Sequence, residues 1–185
     1  MQPAQLPVSS QRTMLVSKYG ERDTFLMKFN PDYQREICAS QDECFFGDYP
    51  TLTDTRLAYG KNAPVAWTMA QLYNLSEYCG CRDKLQGRSL EELAFVISTE
   101  FSYLKISELM LFFYRFKTGR YGRFYGTVDP LIITVSLRKF VEERRFVYER
   151  HENEERQRRE AEERKTAISY QQYLLNKQHQ KTATT

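Results

Sequence analysis

SLEELAFVISTEF (residues 89–101) and SELMLFFYRFKTG (residues 107–119) decide how this chain folds. In the first, Leu90, Leu93, Ala94, Val96, Ile97 and Phe101 recur at helical spacing and share the apolar side of one helix. Ser89 and Glu92 stand as a capping box, the serine oxygen taking a backbone N–H and the glutamate reaching back. In the second, Ser107 is placed to cap a helix carrying Leu109, Met110, Phe112, Phe113 and Phe116. Gly119 is the natural residue to stop it.

The same period extends outward in both directions. Thr51 to Tyr59 reads as a short helix ended by Gly60. Asn62 is a natural N-cap, with Pro64 in the first turn, where its missing N–H costs nothing. The helix that follows places Val65, Met69, Leu72, Tyr73 and Leu75 near one stripe and ends at Gly80. Beyond Gly119, Asp129-Pro130 restarts a helix, Asp as cap and Pro at the first position. That helix carries Ile132, Ile133, Val135, Leu137, Phe140 and Val141. The expected fold is therefore mainly all-α: a compact core of four to five helices over residues 51–148, whose last helix runs into a charged tail over residues 149–185.

The N-terminal third reads differently. Residues 1–12 are polar and contain proline, and are expected to form a disordered leader. In residues 13–50 two short β-prone runs flank Gly20-Glu21-Arg22-Asp23, the pattern of a β-hairpin, and Asn30-Pro31, Gly47-Asp48 and Tyr49-Pro50 mark an irregular loop. A lone hairpin is marginal, so this segment either packs on the helices or stays loose.

In the tail, Glu149 to Lys165 holds seven Glu and six Arg or Lys. Glu152–Arg156, Glu154–Arg158, Glu155–Arg159 and Glu160–Arg164 all have the favoured i,i+4 order, worth about 0.2–0.5 kcal/mol per pair. No apolar heptad accompanies them, so the tail reads as a solvated helix or as a docking arm, not as a coiled coil. Farther on, Ile168, Tyr170, Tyr173, Leu174 and Leu175 form a small apolar patch.

The chain has 185 residues, 41% of them hydrophobic and 14% aromatic, enough for one well-packed domain. No run approaches the roughly 18 apolar residues of a membrane helix, and the N-terminus lacks the apolar stretch of a signal peptide. The expectation is a cytoplasmic protein with Cys38, Cys44, Cys79 and Cys81 reduced. A four-thiolate zinc site is disfavoured by the spacers, five residues between Cys38 and Cys44 and one between Cys79 and Cys81.

The net charge is only +3, but residues 105–145 hold nine basic against four acidic residues. The centre of that window is Phe113 to Gly126, with Arg115, Lys117, Arg120 and Arg123, six aromatics and no acid. Arginines interleaved with rings suit single-stranded DNA or RNA, because cations neutralise phosphates and exposed rings stack on bases. The competing reading makes the rings core, the glycines a tight connection and the arginines its solvated side. The expected contact residues are Arg115, Lys117, Arg120, Tyr121, Arg123, Phe124 and Tyr125.

Nothing in the sequence points to catalysis or to a cofactor. The two histidines, His151 and His179, both lie in the tail, so no core triad can be built. Gly119, Gly122 and Gly126 have neither of the phosphate-loop spacings and follow a helix rather than a strand. Asp42, Glu43 and Asp48 read as loop acids, too scattered to suggest a metal.

The string Tyr121-Gly-Arg-Phe-Tyr-Gly-Thr-Val-Asp-Pro130 carries a resemblance, with Glu108-Leu-Met-Leu-Phe-Phe113 before it and Leu137-Arg-Lys-Phe140 after it. Together with Trp67 to Leu75 and Tyr78-Cys-Gly-Cys-Arg-Asp-Lys84, it resembles a family of uncharacterised proteins from Bacteroidetes phages and mobile elements. The resemblance covers roughly residues 50–150 and implies a bacterial cell or phage-infected host as the setting. Small helical proteins there serve replication, for example as helicase loaders, and no catalytic residue is implied. The expectation is a non-enzymatic nucleic-acid-binding accessory protein acting in DNA replication. The alternative is a protein-interaction adaptor, partnered by a replication or structural protein.

Overall fold

The computed structural model describes residues 8–182, with side chains at 10, 12–167 and 172–175. Among these residues every regular element is helical. The order is α1 (Val8–Tyr19), α2 (Arg22–Lys28), a 3-10 turn (Pro31–Tyr33), α3 (Gln34–Ile37), α4 (Gln41–Phe46), α5 (Leu52–Tyr59), α6 (Ala63–Tyr78), α7 (Gly87–Glu100), α8 (Ile106–Lys117) and α9 (Pro130–Thr182). The chain divides into two compact units, Met1–Phe140 and Val141–Thr185. No helix among the described residues is long and apolar enough to cross a membrane.

The first unit is built around α8. Ile106 to Phe113 are all buried, as are Arg115 and Phe116, so this helix is apolar nearly all round and lies inside the core. Phe112 meets Phe113, Phe116 and Phe140 at centroid distances of 5.2, 5.8 and 5.8 Å, and Phe140 stacks on Phe45 at 6.0 Å. Leu90, Leu93, Ala94 and Ile97 of α7 are buried as their spacing requires, but Val96 is 39% exposed. In α6 the buried stripe is Trp67, Thr68, Gln71, Leu72, Leu75 and Ser76, and Tyr73 points outward. Thr68, Gln71 and Ser76 carry polar groups that mask the stripe in a reading by hydrophobicity alone.

The expected hairpin is not there. Residues 13–29 fall in α1 and α2, joined through Gly20 at φ +83°. Gly20 turns the chain, and from Arg22 the backbone is already helical, so no second strand follows the turn. Phe25 and Phe29 are four apart, which on a helix puts both on one face, and both are buried. Their rings lie 4.9 Å apart, Phe25 lies 4.7 Å from Tyr59, and Tyr59 Oη donates to the Gly20 carbonyl at 2.9 Å. The segment thus packs on the helices. Residues 8–12, expected as leader, are already helical, and residues 1–7 lie outside the described residues.

The stretch expected to be irregular is a chain of short capped turns. The Asn30 side chain accepts from the Asp32 N–H at 2.8 Å, and the Ser40 hydroxyl from the Glu43 N–H at 3.2 Å. Asp42 and Glu43 are therefore first-turn acids of α4, where negative charge suits the helix end, and Asp48 pairs with Lys18 at 2.6 Å.

Caps elsewhere follow the sequence in part. Thr51 and Asp54 form a full capping box on α5, and Gly60 ends it at φ +93°. Asp129 Oδ1 accepts from the Leu131 N–H at 2.8 Å, with Pro130 opening α9. Asn62 precedes α6 but makes no side-chain cap bond. The Ser89 box is absent because α7 starts two residues earlier, at Gly87. Ser107 is also no cap: Glu108 receives the Lys105 N–H at 2.9 Å, and Ser107 donates to the buried Cys44 carbonyl at 2.7 Å.

A buried polar chain ties the N-terminal elements to α6 and α8. The Phe29 carbonyl accepts from Trp67 Nε1 at 2.7 Å and from Gln71 Nε2 at 3.0 Å. Gln34 Nε2 donates to Gln71 Oε1 at 2.6 Å, and Lys117 Nζ donates to Gln34 Oε1 at 2.7 Å.

In the second unit the charged pairs are exposed and only partly those expected. Glu160–Arg164 forms at 4.0 Å, but Arg158 turns to Glu155 at 3.2 Å and Arg156 to Asn153 at 2.9 Å. Arg145–Glu149 adds a pair at 3.0 Å. Of the expected apolar patch, Tyr173, Leu174 and Leu175 are exposed, and the side chains of Ile168 and Tyr170 lie outside the described residues.

Gln71→Leu removes both a donor to Phe29 and the acceptor for Gln34, at a cost of about 1–3 kcal/mol. Urea unfolding should show a lower midpoint with an unchanged slope. An unchanged midpoint would contradict the weight given to this chain.

Candidate nucleic-acid interface

The loop between α8 and α9 is held at both ends. The Thr118 hydroxyl donates to the Arg115 carbonyl at 2.8 Å, and Gly119 turns the chain out of α8 at φ +81°. At the far end the Asp83 N–H donates to the Gly126 carbonyl and the Val128 N–H to the Asp83 carbonyl, both at 3.1 Å. The Thr127 hydroxyl donates to Asp83 Oδ2 at 3.2 Å, and the Val128 side chain is buried. Gly122 and Gly126 take φ of +103° and +78°, and a side chain at either would meet open space. These glycines therefore serve backbone direction rather than close packing.

Between these anchors the side chains sort to two sides. Phe124 stacks on Phe116 at 5.2 Å and 12°, and Tyr121 leans on Phe112 and Phe116 at 5.4 and 5.9 Å. These two rings face the core and fix the loop. Arg120, Arg123 and Tyr125 point outward, and Tyr125 is 89% exposed. No carboxylate lies within ion-pair distance of Arg123 among the described residues.

The remaining two expected contacts belong to the interior. Arg115 is 8% exposed and donates to Gln41 Oε1 at 2.7 Å. Its guanidinium lies 5.8 Å from the Phe45 ring centre and 5.7 Å from that of Phe140, a cation between two aromatic walls. Lys117 is half-buried, bonds Gln34 and Asn74, and sits 5.6 Å from the Tyr78 ring. Burial pulls its ammonium pKa below the usual 10.5, with Asp32, Cys79 and Cys38 opposing.

The pairing of Asp83 with the loop brings in a residue that sequence reading passed over. Arg82 stands next to it with a side chain 89% exposed, loosely set 3.6 Å from Asp83. Its only local signal was the Cys79-Gly80-Cys81 turn ahead of it, because it is joined to the loop by backbone pairing across about forty residues. Asp83 also accepts from the Thr127 hydroxyl, and Asp129 caps α9. What the loop displays is guanidinium donors and one phenol ring, and from Gly119 to Thr127 it contains no histidine, cysteine or acid.

The four cysteines are free thiols, and no group of three or more His, Cys, Asp or Glu side chains converges among the described residues. Cys38 and Cys44 share a hydrogen bond that raises the Cys38 thiol pKa, with burial adding to it, and lowers that of Cys44.

Residues 84–183, just over half of the chain, match a family of unknown function, DUF6633. No curated protein and no solved structure matches the chain.

The inward role of Lys117 makes a pH prediction. Its folded pKa lies below its unfolded value, so between the two the unfolded chain binds more protons and stability rises with pH. The stability of the native chain relative to Lys117→Met should therefore rise as pH climbs from neutral toward 10.5. A difference independent of pH, in urea unfolding across that range, would contradict the burial.

Proposed function

We propose that this chain, which belongs to the DUF6633 family of unknown function, is a non-enzymatic protein that binds single-stranded nucleic acid through its α8–α9 loop. The carrying observation is the sorting of that loop. Tyr121 and Phe124 are spent on anchoring, so Tyr125 is displayed at 89% exposure beside Arg120 and Arg123. A protein gains nothing in stability from an outward phenol on a rigid loop, whereas a base gains a stacking surface. Arg120, Arg123 and Arg82 supply phosphate contacts around it, while Arg115 and Lys117 hold the helix that presents them. The resemblance to phage and mobile-element proteins adds replication of such an element as the setting.

Fluorescence anisotropy of labelled oligothymidylate tests the loop. Tyr125→Ala should weaken binding by about 1–3 kcal/mol, the usual loss of one stacking ring. Arg120→Ala with Arg123→Ala should weaken it further, with the folded state of the variant checked by circular dichroism and melting. Binding that is indifferent to both variants would remove the loop as the interface.

A further inference from the structure

A groove of about 680 Å³ opens between α6 and α7. Val65, Met69, Phe95 and Val96 line its floor, and Glu91 and Glu92 edge it. Phe95 is 61% exposed and Val96 39%. Neither is needed to hold α7 in the core, since its buried stripe is Leu90, Leu93, Ala94 and Ile97. Glu92 is held by Arg88 at 2.7 Å, and Glu91 makes no ion pair among the described residues. An apolar groove edged by carboxylates fits a helix with an apolar stripe and positive charge.

The chain itself contains such a helix. From Lys165 to Lys181 it carries three lysines and no acid, directly after the glutamate-rich stretch. Ala167, Tyr170 and Leu174 recur at i, i+3 and i+7, with Ile168 and Leu175 seven apart beside them. Tyr173, Leu174 and Leu175 are 56%, 40% and 55% exposed.

We infer that the C-terminal segment of one copy docks into the α6–α7 groove of a second copy, and that the exchange is reciprocal. Each copy offers one open groove and one apolar, basic segment, complementary both in hydrophobicity and in charge. A two-fold pair fills both grooves and covers both segments, the closed arrangement expected of a dimer. A foreign helix would match only by coincidence what this sequence supplies. The surface shares no residue with the α8–α9 loop, so the two readings stand or fall separately.

Sedimentation equilibrium of the full chain provides the test. The native chain should show a monomer–dimer equilibrium. Phe95→Asp in the groove, and Leu174→Asp with Leu175→Asp in the segment, should each weaken it roughly thirtyfold or more, as for loss of an interface anchor. All three side chains are exposed, so the variants keep their fold, checked by melting temperature. A mixture of the two variants retains one intact groove and one intact segment, and at elevated loading should form a heterodimer that neither forms alone. A native chain monomeric at every loading, a dimer indifferent to both variants, or a mixture that stays monomeric would overturn the proposal. The first of these outcomes would leave the groove to a helix from another protein.

Discussion

The first unit depends on one buried carbonyl. Phe29 ends α2, and its oxygen accepts two side-chain hydrogen bonds, from Trp67 and Gln71. Gln71 in turn accepts from Gln34, and Gln34 from Lys117, so α2, α3, α6 and α8 are joined through side-chain amides and one ammonium. An unpaired member of such a chain would cost the full desolvation of a buried polar group, whereas the satisfied chain admits one arrangement of these helices. Apolar packing supplies the driving force, but Phe and Leu surfaces slide past one another more readily than amides exchange partners.

That constraint reaches the candidate interface through Lys117. With its ammonium held by Gln34 and Asn74, the last turn of α8 cannot rotate outward, and the chain leaves the helix at Gly119 in a fixed direction. Arg115, one turn earlier, is locked between Phe45 and Phe140. The loop then closes on Asp83 at its other end. Three arginines and one ring are thereby displayed on a supported backbone, which limits the entropy lost when a ligand binds.

Much of the helical frame was legible from spacing. Leu90, Leu93, Ala94 and Ile97 announced α7, and the apolar run to Phe116 announced α8. Gly60 and Gly119 marked the ends of α5 and α8, and Asp129-Pro130 the start of α9, because backbone conformation there is decided locally. Residues 13–29 misled because their β-prone composition suggested strands, while the deciding fact was tertiary: Phe25 and Phe29 pack together against Tyr59. Ser89 and Ser107 were misread as caps because a cap depends on where the backbone turns, and a tertiary partner, the Cys44 carbonyl, claimed Ser107. In the candidate site the sequence showed that basic and aromatic residues were concentrated, but not which faced out. The alternation of Tyr121 and Phe124 against Arg123 and Tyr125 follows from ring contacts with α8, and Arg82 enters only through the pairing of Asp83.

The most direct measurement is the salt dependence of oligothymidylate affinity by fluorescence anisotropy. Three arginines meeting phosphates predict a slope of about −2 in log affinity against log salt, a loss of roughly twentyfold between about 50 and 200 mM. An absence of binding at low salt, or an affinity that does not respond to salt, would contradict the account of the loop as a surface that reads phosphates.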